Sequence, residues 1–259
     1  MDWDDAYSNG AYIEGAEGYP PRWEREAAAF RETADVELDV AYGDGARHKF
    51  DLFRPSGTAK GLLVFVHGGY WMAFDKSYWS HFARGAAARG WAVALPSYDL
   101  APDVRISEIT MQIAAAVTKA CALVDGPVVL AGHSAGGHLV ARMICDGVLP
   151  EDVAARVSRV VPISPLADLR PLMMTAMNDK LQLDAAEADA ESPMWQAPRA
   201  GVDVTVLVGA AERPVFLDQA RWLSDAWGCD LVVAGGKHHF DVIDAFADPD
   251  SDMARMLFS

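Results

Sequence analysis

Gly132-His133-Ser134-Ala135-Gly136 sets a serine two residues from a glycine on each side, the pattern G-x-S-x-G. An apolar run at 127–131 precedes it, and residues 135–144 that follow carry apolar side chains at helical spacing. A serine on such a strand-to-helix turn is held in a strained backbone with its hydroxyl presented, and the glycines remove side chains that would strike the neighbouring strand and helix. The helix start also leaves N–H groups free beside an oxyanion. This is the equipment of nucleophilic acyl transfer, with Ser134 as the nucleophile.

His67-Gly68-Gly69 closes an apolar run at 61–66. Glycines let a substrate approach the backbone closely, so the N–H groups of Gly68, Gly69 and Ala135 are the expected oxyanion donors. Seven histidines compete to be the base. His48 falls in an early hairpin, His81 and His138 fall in helices, His133 precedes the nucleophile, and His67 is read as holding its glycine loop. His238 and His239 follow the strand at 231–233, where the order nucleophile, acid, histidine puts the base. The acid belongs after the strand at 204–208, and Glu212 is the first carboxylate there; Asp218, inside the next helix, is its rival. Tyr70, Trp71, Phe74 and Trp79 cluster after the glycine loop and are expected to line a slot for an aromatic ring. Arg170 and Arg213 are partners for a substrate carboxylate, solvated surface charges or members of structural ion pairs.

These residues need a sheet to position them. A helix is expected at 22–31, strands at 36–42 and 47–53 joined by Gly43-Asp44-Gly45, and buried strands at 61–66, 91–95, 128–131, 160–163, 204–208 and 231–233. Helices are expected at 80–89, 106–124, 135–144, 214–227 and near 240–247. The alternation predicts an α/β fold with a mostly parallel sheet, an antiparallel opening hairpin and helices on both faces. Residues 172–200 break the rhythm and read as a small cap over the sheet's C-terminal edge that shapes the pocket; residues 1–20 read as a surface wrapping. With no repeat or linker, the span 1–259 is read as one domain.

The chain is 51% hydrophobic and 23% charged, as in ordinary globular domains. A net charge of −15 argues against nucleic acid and anionic membrane as partners. No run is long enough to cross a bilayer, and the acidic start Met1-Asp2-Trp3-Asp4-Asp5 does not resemble a signal peptide, so a cytoplasmic protein is expected. Cys121, Cys145 and Cys229 have neither metal-ligand nor redox spacing, and no metal or cofactor is expected. The expected partner is a small acyl substrate; a homodimer stays open.

His67-Gly68-Gly69-Tyr70-Trp71 and Gly132-His133-Ser134-Ala135-Gly136-Gly137-His138-Leu139 together resemble the kynurenine formamidase (arylformamidase) branch of the α/β-hydrolases. Ser97-Tyr98-Asp99-Leu100-Ala101-Pro102, Ala167-Asp168-Leu169-Arg170-Pro171-Leu172 and His239-Phe240-Asp241-Val242 are similar to that branch too. The resemblance implies the α/β-hydrolase fold and a metal-independent serine hydrolase that removes formyl from an aromatic amine such as N-formylkynurenine. It selects His239, because the family's base is followed by phenylalanine. The family's acid is an Asp before a small residue and Pro, and Glu212-Arg213-Pro214 departs from it. A carboxylesterase acting on small acyl or aryl esters is the alternative, with an inactive ligand-binding relative behind it.

Overall fold

Short apolar runs rich in valine and leucine cannot bury both faces unless each is flanked by strands and covered by helices, and the fold is built on that requirement. The computed structural model describes residues 2–258. Met1 and Ser259, the ends of the expected 1–259 span, lie outside the described residues. The strands are β1 (Val36–Ala41), β2 (Lys49–Phe53), β3 (Leu62–Val66), β4 (Ala92–Pro96), β5 (Val128–His133), β6 (Val157–Ile163), β7 (Asp203–Gly209) and β8 (Asp230–Ala234). They form one sheet in the order β1-β2-β4-β3-β5-β6-β7-β8. β1 and β2 pair antiparallel, as the glycine turn between them predicts, and β2 joins β4 antiparallel. All later pairings are parallel.

The helices are α1 (Trp3–Ala6), α2 (Tyr19–Arg31), α3 (Ala83–Ala88), α4 (Ile106–Cys121), α5 (Ala135–Arg142), α6 (Glu151–Ala154), α7 (Asn178–Leu181), α8 (Ala185–Glu191), α9 (Pro214–Trp227) and α10 (Asp252–Phe258). Side chains of a strand alternate between faces, and the core divides accordingly. Leu62, Val64 and Val66 of β3 pack with Ile109, Ile113 and Val117 of α4, Leu139 of α5 and Phe216 of α9. Leu63 and Phe65 face the other way, toward Trp23 of α2, Ala83 and Ala86 of α3, and Leu257 of α10. Each such buried aliphatic side chain contributes about 1.5–3 kcal/mol.

The expected helix at 80–89 begins as a 3₁₀ turn, Ser80–Phe82, before α3, and only Asp244–Ala247 of the expected helix near 240–247 is helical, also as 3₁₀. Helix α2 starts three residues ahead of expectation, with Pro20 in its first turn, where a missing N–H costs nothing. Among the described residues no helix is long and apolar enough to cross a membrane. Cys121 and Cys145 are buried thiols, and burial pushes the Cys145 thiol up to about 11.

β3 and β5 are neighbours, while the chain between them runs out to β4 on the other side of β3. At such a reversal the loops at the strands' carboxyl ends diverge and leave a crevice. His67-Gly68-Gly69 follows β3 and Ser134 follows β5, so both motifs open onto it.

Two expectations follow from this packing. A Cβ on Gly136 would lie 2.0 Å from the Val66 carbonyl oxygen, so the first turn of α5 can rest on β3 only through glycine. Gly136→Ala is expected to cost at least about 3 kcal/mol by urea denaturation; a loss under about 1 kcal/mol would show that the contact yields. Burial pushes His67, His81 and His138 each down to about 4 from an ordinary 6.5. Between those values the unfolded chain binds more protons than the native one, so stability rises with pH there. The unfolding free energy should therefore fall from pH 7 to pH 5 by up to about 2 kcal/mol per imidazole, and the denaturation midpoint with it. An unchanged or higher midpoint at pH 5 would contradict the burial.

Candidate active site

Ser134 leaves β5 at φ 57°, ψ −118° and caps α5. Its N–H donates to the Ile163 carbonyl at 2.8 Å and its carbonyl accepts from the His138 N–H at 3.0 Å, so β6 and α5 pin the turn from both sides. The residue is 2% exposed. The glycine loop approaches it closely. A Cβ on Gly68 would lie 2.9 Å from the Ser134 Cβ and 2.8 Å from the His133 carbonyl. The N–H of Ala135, in the first turn of α5, has no partner within the helix. Those of Gly68 and Gly69 donate to no carbonyl among the described residues.

His239 and Glu212 meet on the adjoining loops. The His239 Nδ1–H donates to Glu212 Oε2 at 2.6 Å, and both side chains are buried. The other carboxylate oxygen, Oε1, accepts from the Gly209 N–H at 2.8 Å and the Ser164 hydroxyl at 2.5 Å. These donors hold the carboxylate in place. Ser164 follows β6 at φ 47°, with its N–H donating to the Leu207 carbonyl. Sequence reasoning missed Ser164; its signal is a hydroxyl at the carboxyl end of the strand beside the acid's own. The rival Asp218 is half exposed on α9, beside Arg221.

Four of the other histidines are occupied elsewhere. His238 turns its Nε2 to the Tyr19 hydroxyl at 3.1 Å and its Nδ1 to the Phe240 N–H at 3.1 Å. His67 donates from Nδ1 to the Gly68 carbonyl at 2.8 Å and stacks on Tyr98, whose hydroxyl donates to the His67 carbonyl. That ring steadies the glycine loop. His138 donates to the Glu191 carbonyl at 2.7 Å, and His48 pairs with Asp99. His133 packs against His239 with ring centres 4.6 Å apart, and burial pushes it far below the ordinary range.

A cavity of 380 Å³ brings Ser134, His239, Gly68 and Gly69 together. Its walls include Trp23, Phe74, Trp79 and Phe240, which meet edge-to-face or at a tilt. Tyr70 lines it as expected, with its hydroxyl donating to the Tyr7 carbonyl at 2.7 Å. Trp71 does not. It is fully buried against His138, because the positive φ of Tyr70 and Trp71 turns the chain inward. Arg47, in the early hairpin, donates to the carbonyls of Tyr98 and Phe74 and ties both to the loop.

The roof also differs from expectation. Residues 172–200 contribute nothing to the cavity wall. They are drawn to the flank by Glu187, which accepts from Arg105 and Ser107, and by Glu191, which pairs with Arg142 and accepts from Thr110. The roof is the N-terminal segment, with Tyr7, Ser8, Asn9, Gly10 and Pro20 in the wall. It is not a loose wrapping. Tyr7 is 2% exposed and accepts at its hydroxyl from Gln219, which also accepts from the N–H groups of Ala167 and Asp168. Arg213 pairs with Asp5 and lies over the Tyr12 ring, while Arg170 pairs with Asp168 over Trp195; both arginines are structural ion pairs here. No cluster of metal-ligating side chains occurs among the described residues.

Residues 63–256 match the alpha/beta hydrolase family. A kynurenine formamidase of Drosophila melanogaster is 31% identical over 84% of this chain and 79% of its own length. The Salmo salar kynurenine formamidase is 26% identical over 88% and 82%. A crystal structure from Silicibacter sp., provisionally named a thioesterase, is 62% identical, superposes with a TM-score of 0.98 and covers all of both chains. The chain belongs to the alpha/beta hydrolase family and, within it, is similar over most of its length to the kynurenine formamidases.

Proposed function

We propose that the chain is a metal-independent serine hydrolase that removes a formyl group from an aromatic amine such as N-formylkynurenine. The observation that carries the chemistry is the chain of hydrogen bonds from Ser164 and Gly209 through Glu212 to His239, opening on the cavity that holds Ser134. The kynurenine formamidase relatives and the aromatic wall support the substrate. Donation from Nδ1 to Glu212 leaves the Nε2 lone pair of His239 free to take a proton.

In this reading Ser134 Oγ bonds to the formyl carbon while its proton passes to His239 Nε2. The oxyanion is held by the N–H groups of Gly68, Gly69 and Ala135. Collapse breaks the C–N bond, and His239 returns the proton to the departing nitrogen. Water then adds to the formyl ester, giving a proton to His239. The C–Oγ bond breaks, the proton returns to Ser134, and formate leaves. The rigid carboxylate keeps the imidazole in the tautomer both halves need.

A second reading, hydrolysis of a small ester or thioester, is favoured by the name of the Silicibacter relative. Parallel kcat/KM values on N-formylkynurenine and p-nitrophenyl acetate separate the two. Formamide turnover about a thousandfold below ester turnover would overturn the formamidase reading. Ser134→Ala should abolish turnover of both, whereas a binding protein would keep its function. Glu212→Gln keeps the Gly209 contact but presents an amide N–H to His239, forcing the wrong tautomer. It is expected to lower kcat roughly 10³–10⁴-fold with the melting temperature little changed, and activity within about tenfold of wild type would remove Glu212 from the triad.

A further inference from the structure

The cavity wall is largely apolar and aromatic, and four of its residues carry a buried polar atom without a partner that the mechanism leaves idle: Trp23 Nε1, Trp79 Nε1, His133 Nε2 and Asn9 Oδ1, the one oxygen among them. Asn9 is 7% exposed, and its Oδ1 is buried with no hydrogen-bond partner among the described residues. An asparagine just before a helical turn normally accepts from an N–H inside that turn. Asn9 precedes the Gly10–Tyr12 turn and makes no such bond. It lines the 380 Å³ cavity beside Ser134 and His239, and also a smaller adjoining chamber of 250 Å³ lined by Glu212, His239 and Arg213. Its neighbours hold it there: Asp5 takes Arg213 at 2.7 Å and the Tyr12 hydroxyl at 2.5 Å, and Tyr7 is bonded through both its hydroxyl and its carbonyl. A buried acceptor with no donor is disfavoured unless something that binds supplies the donor.

We infer that Asn9 is a specificity-determining residue whose Oδ1 accepts a hydrogen bond from the N–H of the scissile formamide. This rests on the formamidase reading above. An amide differs from an ester at this point in two respects: its nitrogen carries a hydrogen, and its lone pair must turn toward the general acid before the C–N bond can break. An acceptor that holds the N–H on the Asn9 side leaves the lone pair of the tetrahedral intermediate facing His239, so the proton reaches nitrogen rather than returning to Ser134. An ester has no hydrogen there and gains nothing from Asn9. The preference for formamides therefore resides in the N-terminal roof, away from the residues that make and break bonds.

The test compares formanilide with phenyl formate, which are nearly the same size and differ at the scissile position by N–H against O. In Asn9→Leu, kcat for formanilide should fall about 10–100-fold, with KM little changed and phenyl formate turnover within about threefold of wild type. Asn9→Asp keeps an acceptor oxygen and should recover most of the formanilide rate. Asn9→Ala makes the same comparison if the leucine variant does not fold, and phenyl formate turnover reports an intact site in each. Equal losses on both substrates, no loss on either, or an Asn9→Asp enzyme as poor as Asn9→Leu would overturn the inference. A wild-type enzyme inactive on formanilide and on N-formylkynurenine would overturn the formamidase reading, and this inference with it. Wild-type activity on formamides with an unchanged formanilide-to-formate ratio in the variants would overturn this inference alone.

Discussion

The backbone of Ser134 stands at φ 57°, ψ −118°, a conformation that a residue with a side chain keeps only when its surroundings hold it there. Those surroundings are the centre of the sheet. The Ile163 carbonyl takes the Ser134 N–H, and the first turn of α5 lies on the last carbonyl of β3 through the bare Cα of Gly136. From the other side Gly68 approaches so closely that a Cβ on it would strike the serine. The strain at one residue is thus borne by three adjacent parallel strands, β3 and β5 buried throughout and β6 over its last four residues, which cannot shift without opening the core.

Glu212 and His239 use the same edge of the sheet differently. Glu212 leaves β7 by a tight turn, and Pro214 starts α9 two residues later and commits the chain to turn away. The longer glutamate side chain reaches back over the strand end. There the Gly209 N–H and the Ser164 hydroxyl fix one oxygen and leave the other for His239. An aspartate on the same backbone would be one methylene shorter. The Ser164 hydroxyl, one strand over, supplies one of the two bonds that hold the reaching carboxylate.

The pocket's chemistry comes from parts of the chain that are far apart in sequence. Trp23 belongs to α2, Phe74 and Trp79 to the loop after β3, and Phe240 to the loop that carries His239. The N-terminal segment closes over them because Tyr7 and Asp5 find partners in Gln219 and Arg213 on α9 and at its start. Among the fixed hydrogen bonds of this roof, Asn9 Oδ1 is left without one.

Local pattern was enough for the elements and for two motifs. The apolar runs marked most strands within a residue or two, though β6 begins three residues before its expected start. Gly-x-Ser-x-Gly between a strand and a helix marked Ser134, because the turn's steric demands are written into adjacent residues. Chain order confined the acid and base to short loops, and Glu212 and His239 do meet at hydrogen-bond distance. The choice between His238 and His239 needed a resemblance at the sequence level, and in three dimensions it rests on which ring Tyr19 engages. Ser164, the inward turn of Trp71 and the identity of the roof were not legible. Each depends on contacts between residues distant in sequence, and a hydroxyl, an indole or an acidic helix looks the same in the chain whichever surface it meets. The sequence by itself determined what Ser134 is equipped to do; only the folded chain decided which side chains surround it, because that depends on where buried charges such as Glu187 and Glu191 found their partners.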